Sequence, residues 1–220
     1  LLPESSMPVR EADQRIGTKK ISYTAFDSDG GTKKGQWAYR WNVQPKDETA
    51  YFKGEGSEVE NPIKIYVDTL LGPTWTKAVT EGIMAWEPAF AAIGLRNAIV
   101  VEPYPSDMSF NVEDPLISCV VYSQSRQSRI GATFLTDKTT GQILSCKITV
   151  PADYQTIAFE AGVFAISDVD SRYQSYHISD DAVCEVLKAQ MMGVFGQCIG
   201  LSPNMAGSHA YSPEQLVDPE

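Results

Sequence analysis

MMGVFGQCIGLSPNMAGS, residues 191–208, decides how this chain is read. Gly193, Gly196 and Gly200 lie within or at the end of what reads as a buried helix. A glycine inside a helix costs about 1 kcal/mol relative to alanine, because its backbone has the most freedom to lose. A segment that served only as a core helix has no use for three of them. Upstream, the apolar residues Val183, Leu187, Met191, Val194 and Cys198 recur at steps of four and three, which is one face of a helix. Ser179 stands where an N-cap belongs, and Asp180 and Asp181 sit on the positive end of the helix dipole. Gly200 ends the helix and a turn follows.

Further upstream the spacing predicts a strand–helix–strand unit. Residues 63–67, IKIYV, read as a strand. Thr74 is placed to cap a helix whose apolar residues Trp75, Val79, Ile83, Trp86, Phe90 and Ile93 step by three and four. Pro88 interrupts it and predicts a kink near Met84, and Gly94 closes it. Residues 98–102 return as a strand parallel to the first, by the right-handed crossover. A third strand is expected over 116–122. A hairpin follows over 130–135 and 142–150, around a turn at 136–141. Residues 151–178 read as irregular, with a short helix near 157–164.

At the N-terminal end, residues 21–26 and 36–43 read as a hairpin around the turn 27–31. Asp27 and Asp29 before Gly30 lack the later ligands of a calcium loop, so they belong to the turn. Residues 45–61 read as a polar connection. The division expected is residues 1–61, the hairpin and connection, and 62–220, the main domain. The order ββ, βαβ, β, ββ, α predicts an α+β fold, a mixed sheet with helices packed on it.

The chain has 220 residues, of which 43% are apolar, enough to fill a core. Its formal net charge of -10 argues against nucleic-acid binding, and the pairs Lys19-Lys20 and Lys33-Lys34 read as solvated strand edges. No stretch approaches the roughly 18 apolar residues of a membrane span. No signal peptide is visible, and residues 1–6 read as a mature or trimmed start. Cys184 and Cys198 share one helix, roughly 20 Å apart at about 1.5 Å per residue, and cannot pair with each other. Cys119 and Cys146 fall on strands that neighbour each other if the sheet is ordered suitably, as a disulfide or as two buried thiols.

The ordered set of landmarks resembles the catalytic domain of zinc-dependent metallopeptidases of the metzincin kind, in particular a group of large secreted or periplasmic bacterial metalloproteases. The landmarks are Met7-Pro8 and residues 13–17 (DQRIG), then Glu81-Gly82-Ile83, Trp86, Ala89-Phe90, Gly94-Leu95 and residues 97–99 (NAI). After them come Asp137 with residues 140–144 (TGQIL), and finally a long helix where the family carries HExxHxxGLxHNxxGS. The resemblance spans about residues 7 to 208. It implies a zincin-like mixed sheet packed on two main helices, with an N-terminal hairpin.

In that motif two histidines one helical turn apart bind Zn²⁺, the glutamate beside the first takes a proton from metal-bound water, and the glycine lets a third histidine close the site. Carried over position by position, the first histidine is Gly193, the glutamate is Val194, the second histidine is Gln197 and the third is Pro203. Gly200, Leu201, Asn204 and Gly207-Ser208 keep the surrounding pattern. Every reacting residue is replaced and the framework is retained. Gly, Val and Pro offer no side-chain ligand, a Gln amide is a poor one, and the general base is gone. The resemblance therefore implies a chain with no zinc. The sequence also stops before the segment that supplies the family's Met-turn, and Met205 is too close to the helix to replace it.

Other sites are open to the sequence. His177 and His209, with Cys198, Asp180 or Asp181, are the residues from which a relocated metal site would be built, though both read as loop histidines. Cys198 lies on the apolar stripe and reads as a core thiol. Ser123, Ser125 and Ser128 stand near Arg126 and Arg129 in a loop suited to solvent or to a polar ligand. No GxSxG, phosphate loop or dinucleotide fingerprint is present. The expected function is a non-catalytic pseudopeptidase that binds peptide or protein through its vestigial cleft and edge strand, in the periplasm or outside the cell. The edge strand is expected at 130–135 or 142–150. The alternatives are a hydrolase rebuilt around His209 or His177, and an accessory structural subunit.

Overall fold

A computed structural model describes residues 7–107, 110–124, 129–168, 170–175, 178–203, 209–213 and 215. Its centre is a five-stranded sheet in the order β6-β4-β7-β9-β8. The strands are β4 (Ile63–Val67), β6 (Ile99–Pro103), β7 (Cys119–Ser123), β8 (Gly131–Thr136) and β9 (Ile143–Pro151). All neighbours are parallel except β8, which runs antiparallel to β9. On β4, Ile63, Ile65 and Val67 are buried while Lys64 is exposed, the alternation expected of a sheet covered more fully on one face. The buried face meets helices α2 (Gly72–Met84), α4 (Tyr154–Ile166) and α5 (Asp180–Cys198) in one apolar cluster. Each Ile, Leu or Phe buried there contributes about 1.5–3 kcal/mol. The fold is α+β, with a mixed sheet on helices.

The expected βαβ unit is present, with two differences. α2 has no side-chain cap at Thr74; the cap is made one turn earlier, on the 3₁₀ turn before α2, by Asp68. Its carboxylate accepts hydrogen bonds from Leu70 N and, across the sheet, from Tyr122 N, and the 3₁₀ turn Thr69–Leu71 runs into α2 with Pro73 in its first turn. Thr74 falls inside the helix. Pro88 does more than kink: the helix breaks after Met84 and restarts as α3 (Glu87–Ala92). The restart places Glu87 to accept from Ala98 N and Ile99 N, which anchors the start of β6. Gly94, at φ 83, ends α3 as expected.

The third strand begins at Cys119 and not at 116. Ser118 O accepts from Tyr66 N, and its hydroxyl accepts from Cys146 N. The helix expected at 157–164 is longer, because Tyr154, Ile157 and Ala158 reach the core. Residues 45–61 are not a plain connection. Asp47 caps the short helix α1 (Glu48–Phe52), and β3 (Ser57–Glu58) pairs in parallel with β5 (Leu95–Arg96).

The N-terminal hairpin, β1 (Lys20–Phe26) with β2 (Thr32–Ala38), forms a two-stranded sheet of its own. Asp27 closes its turn by accepting from Asp29 N and Gly31 N. β2 stops at Ala38, short of the expected 43, because Trp41 and Val43 turn onto the main core. The Trp41 indole donates to Cys198 O, and Lys19 N donates to Gly200 O, so the start of the chain is tied to the end of α5. Among the described residues no helix is long and apolar enough to cross a membrane.

α2 and α5 are linked at the surface by Lys188, whose ammonium lies 2.9 Å from Glu81 Oε2. The bond to Lys188 holds the Glu81 carboxyl below its ordinary value of 4.5. A depressed carboxyl adds stability above its unfolded pKa and loses it as pH falls through the folded one. Glu81→Gln is therefore expected to lower the melting temperature at neutral pH, with the difference shrinking as pH falls below 4.5. Thermal unfolding of both chains across that pH range checks this.

Candidate functional site

The C-terminal half of α5 presents two faces. Met191, Phe195 and Cys198 are fully buried against the sheet. Gly193 and Gln197, one turn apart, are exposed, and Val194 is half-buried between the faces. Val194 was expected on the core stripe; Phe195 takes that place, because the helix rotates its bulkiest apolar residue inward. Pro203 is exposed beyond the turn.

The three glycines separate by cause. At Gly196 a Cβ would stand 2.6 Å from the Trp86 ring, whose indole donates to Met192 O. Gly200 has φ 98, and a Cβ there would stand 2.5 Å from Tyr39 O. Both are required by packing or backbone. At Gly193 a Cβ would meet nothing within 4 Å. The fold gives no reason for glycine at position 193.

The positions 193, 194, 197 and 203 therefore bring together no acid, base or ligand side chain. His209 is exposed in a short turn after 204–208, and His177 lies outside the described residues, as do Ser125, Arg126, Ser128 and Met205. Ser123 is half-buried and Arg129 exposed. Among the described residues no group of three or more His, Cys, Asp and Glu is placed to hold a metal. All four cysteines are free thiols. Cys119 and Cys146 lie on the neighbouring strands β7 and β9 without pairing. The Cys146 thiol is pushed well up by its hydrogen bond with Cys198 and by burial; Cys119 is pushed up by burial. Both stay protonated at neutral pH and serve as core residues, not nucleophiles.

The edge of the sheet is where the molecule is open. β9 lies between β7 and β8, so residues 142–150 are not an edge; of the two candidates only β8 is. Its sequence, GATFLT, holds no charge and no proline. Ala132, Thr133 and Leu135 are exposed. Phe134 is covered by the Tyr39 ring, edge-on at 5.7 Å, and by the Lys19 ammonium, 4.5 Å from the ring centre. α5 packs beneath β8 and β9. The Trp86 contact and the Lys19–Phe134 contact escaped the sequence reading, because both join residues more than a hundred positions apart. No family model matches this chain, and no curated protein or solved structure matches it.

Proposed function

We propose that this chain is a metallopeptidase-like module without the peptidase chemistry, and that it binds an extended peptide or protein segment along β8. The observation that carries the reading is β8 itself, a six-residue edge strand with no charge and no proline. Proteins normally blunt such an edge with lysine, proline, a bulge or a covering loop, because its open N–H and C=O groups recruit other strands. Among the described residues, the one such device within β8 itself is the register shift at Leu135/Thr136, at its far end. An added strand satisfies the open groups and takes its specificity from alternate side chains.

The metzincin-like part of the reading is supported by the mixed sheet over α2 and α5, by the turn at Gly200, and by the unexplained glycine at 193. On this reading the chain works without zinc, in the periplasm or outside the cell. A rebuilt hydrolase finds no support of this kind: among the described residues His209 belongs to no group of three or more His, Cys, Asp and Glu placed to hold a metal.

The test uses three labelled, end-capped peptides of alternating apolar and polar residues, one acidic, one basic and one neutral. At least one is expected to bind and to shift the amide resonances of β8. Ala132→Pro, which removes one N–H that points away from β9 because Ala132 pairs with Ile148 and the even residues of β9 bond toward β7, is expected to weaken that binding by about tenfold or more, with a circular-dichroism spectrum like the parent's. Shifts confined to other elements overturn the reading. So does about one zinc retained per chain after dialysis, together with peptide hydrolysis.

A further inference from the structure

The charges of this chain are unevenly placed. Residues 7–43 hold seven Lys and Arg against four Asp and Glu, and residues 129–150 hold three against one, so these two hairpin segments sum to +5. The rest of the chain holds eight against 23, a balance of -15. The fold brings the two basic segments together. Tyr39 packs on Phe134, Lys19 lies over the same ring, and Arg40 bridges to Gln142. At Gly141 a Cβ would stand 2.5 Å from Ala38 O, so the two backbones are in close contact there.

β8 lies in this basic region. Arg129 and Lys138, both exposed, bracket it at its two ends. Lys33 and Lys34 are exposed on β2. Among the described residues no carboxylate forms an ion pair with Lys19, Lys33, Lys34, Arg129 or Lys138, whereas Arg15, Lys147 and Arg172 are paired. A cluster of unpaired cations on a protein of net charge -10 is a field aimed outward.

We propose that the segment bound along β8 is acidic, an extended stretch in which Asp or Glu alternates with apolar residues. This rests on the edge-strand reading and adds the charge of the partner to it. The backbone bonds of an added strand are the same for any sequence; the cations around β8 discriminate between sequences. Lys34 and Lys33 lie four and five residues along β2 from Ala38, roughly 14–17 Å at about 3.4 Å per residue. They act through the field more than by contact, so their effect is salt-sensitive.

The test titrates the same three peptides at low and high salt. The acidic peptide is expected to bind about tenfold or more tighter than the basic one at about 0.05 M salt, and the gap to close near about 0.5 M. Lys33→Glu with Lys34→Glu is expected to weaken the acidic peptide by about tenfold at low salt. Lys19→Met keeps the aliphatic stem over Phe134 and removes only the ammonium; it is expected to weaken the acidic peptide alone. Equal binding of all three peptides, or tighter binding of the basic one, with sensitivity to Ala132→Pro, overturns the acidic partner and leaves the edge-strand reading standing. Acidic binding that the lysine variants abolish and Ala132→Pro does not touch moves the partner off β8 and overturns both. No binding by any of the three peptides also overturns both.

Discussion

Gly82→Ala is expected to lower stability by about 3 kcal/mol and the melting temperature by about 6–12 °C. Gly82 lies on the face of α2 that meets α5. A Cβ there would stand 2.6 Å from the Lys188 carbonyl oxygen and 2.7 Å from Met191 Cβ. One of these is backbone and the other is the root of a fully buried side chain, so neither can swing away. The two helices must part, and both carry core residues: Val79 and Ile83 on α2, Leu187 and Met191 on α5. Overpacking at such a contact strains every residue attached to it. Gly193→Ala is the matching control. The new methyl enters open space, and the helix gains about 0.5–1 kcal/mol from the better helix former. Urea or thermal unfolding of the two variants separates them by sign. Equal melting of parent and Gly82→Ala would show that α2 and α5 are not in this register.

Zinc binding is expected to appear when three residues are restored together as Gly193→His, Gln197→His and Pro203→His. Gly193 and Gln197 are four apart on an exposed helix face, and the site at 193 is open. Two imidazoles at that spacing form a two-ligand site on any helix. The discriminating quantity is the third. If the turn at Gly200 carries position 203 back toward the helix, the triple variant holds zinc at least about tenfold tighter than the double, about 1.4 kcal/mol. If position 203 points elsewhere, the triple and double bind alike, and the position-by-position match to the metalloprotease pattern fails. Isothermal titration with Zn²⁺ reads the difference directly. No hydrolysis is expected from either variant, because Val194 leaves the site without a general base.

What was legible in the sequence was local. The Ser179 cap accepts from Ala182 N, Gly94 and Gly200 end their helices at positive φ, and Asp27 closes its turn. Each depends on residues within a few positions of one another, and the side chain alone states the preference. The break at Pro88 is of the same kind, although its depth was not: a proline removes one bond, and the packing of Trp86 against α5 makes the interruption complete. The Thr74 cap fails because the helical path starts earlier, at the 3₁₀ turn that Asp68 caps, and Asp68 is fixed there by a second bond, to Tyr122 N, which is 54 residues away.

By itself, then, the sequence determined the α+β class and the order of the main elements. The tertiary structure alone decided which strand is the edge, since 130–135 and 142–150 are equally strand-like and only the sheet order places β8 outside. It alone divided the glycines, because Gly82, Gly196 and Gly200 are required by Lys188, Trp86 and Tyr39, while Gly193 is required by nothing. It also joined two basic hairpins some hundred residues apart in the chain into one flank around β8. The physical reason is common to all three. Periodicity and capping are properties of neighbouring residues, whereas an open edge, a close approach and a charged surface are properties of chain segments that meet only when the core is packed.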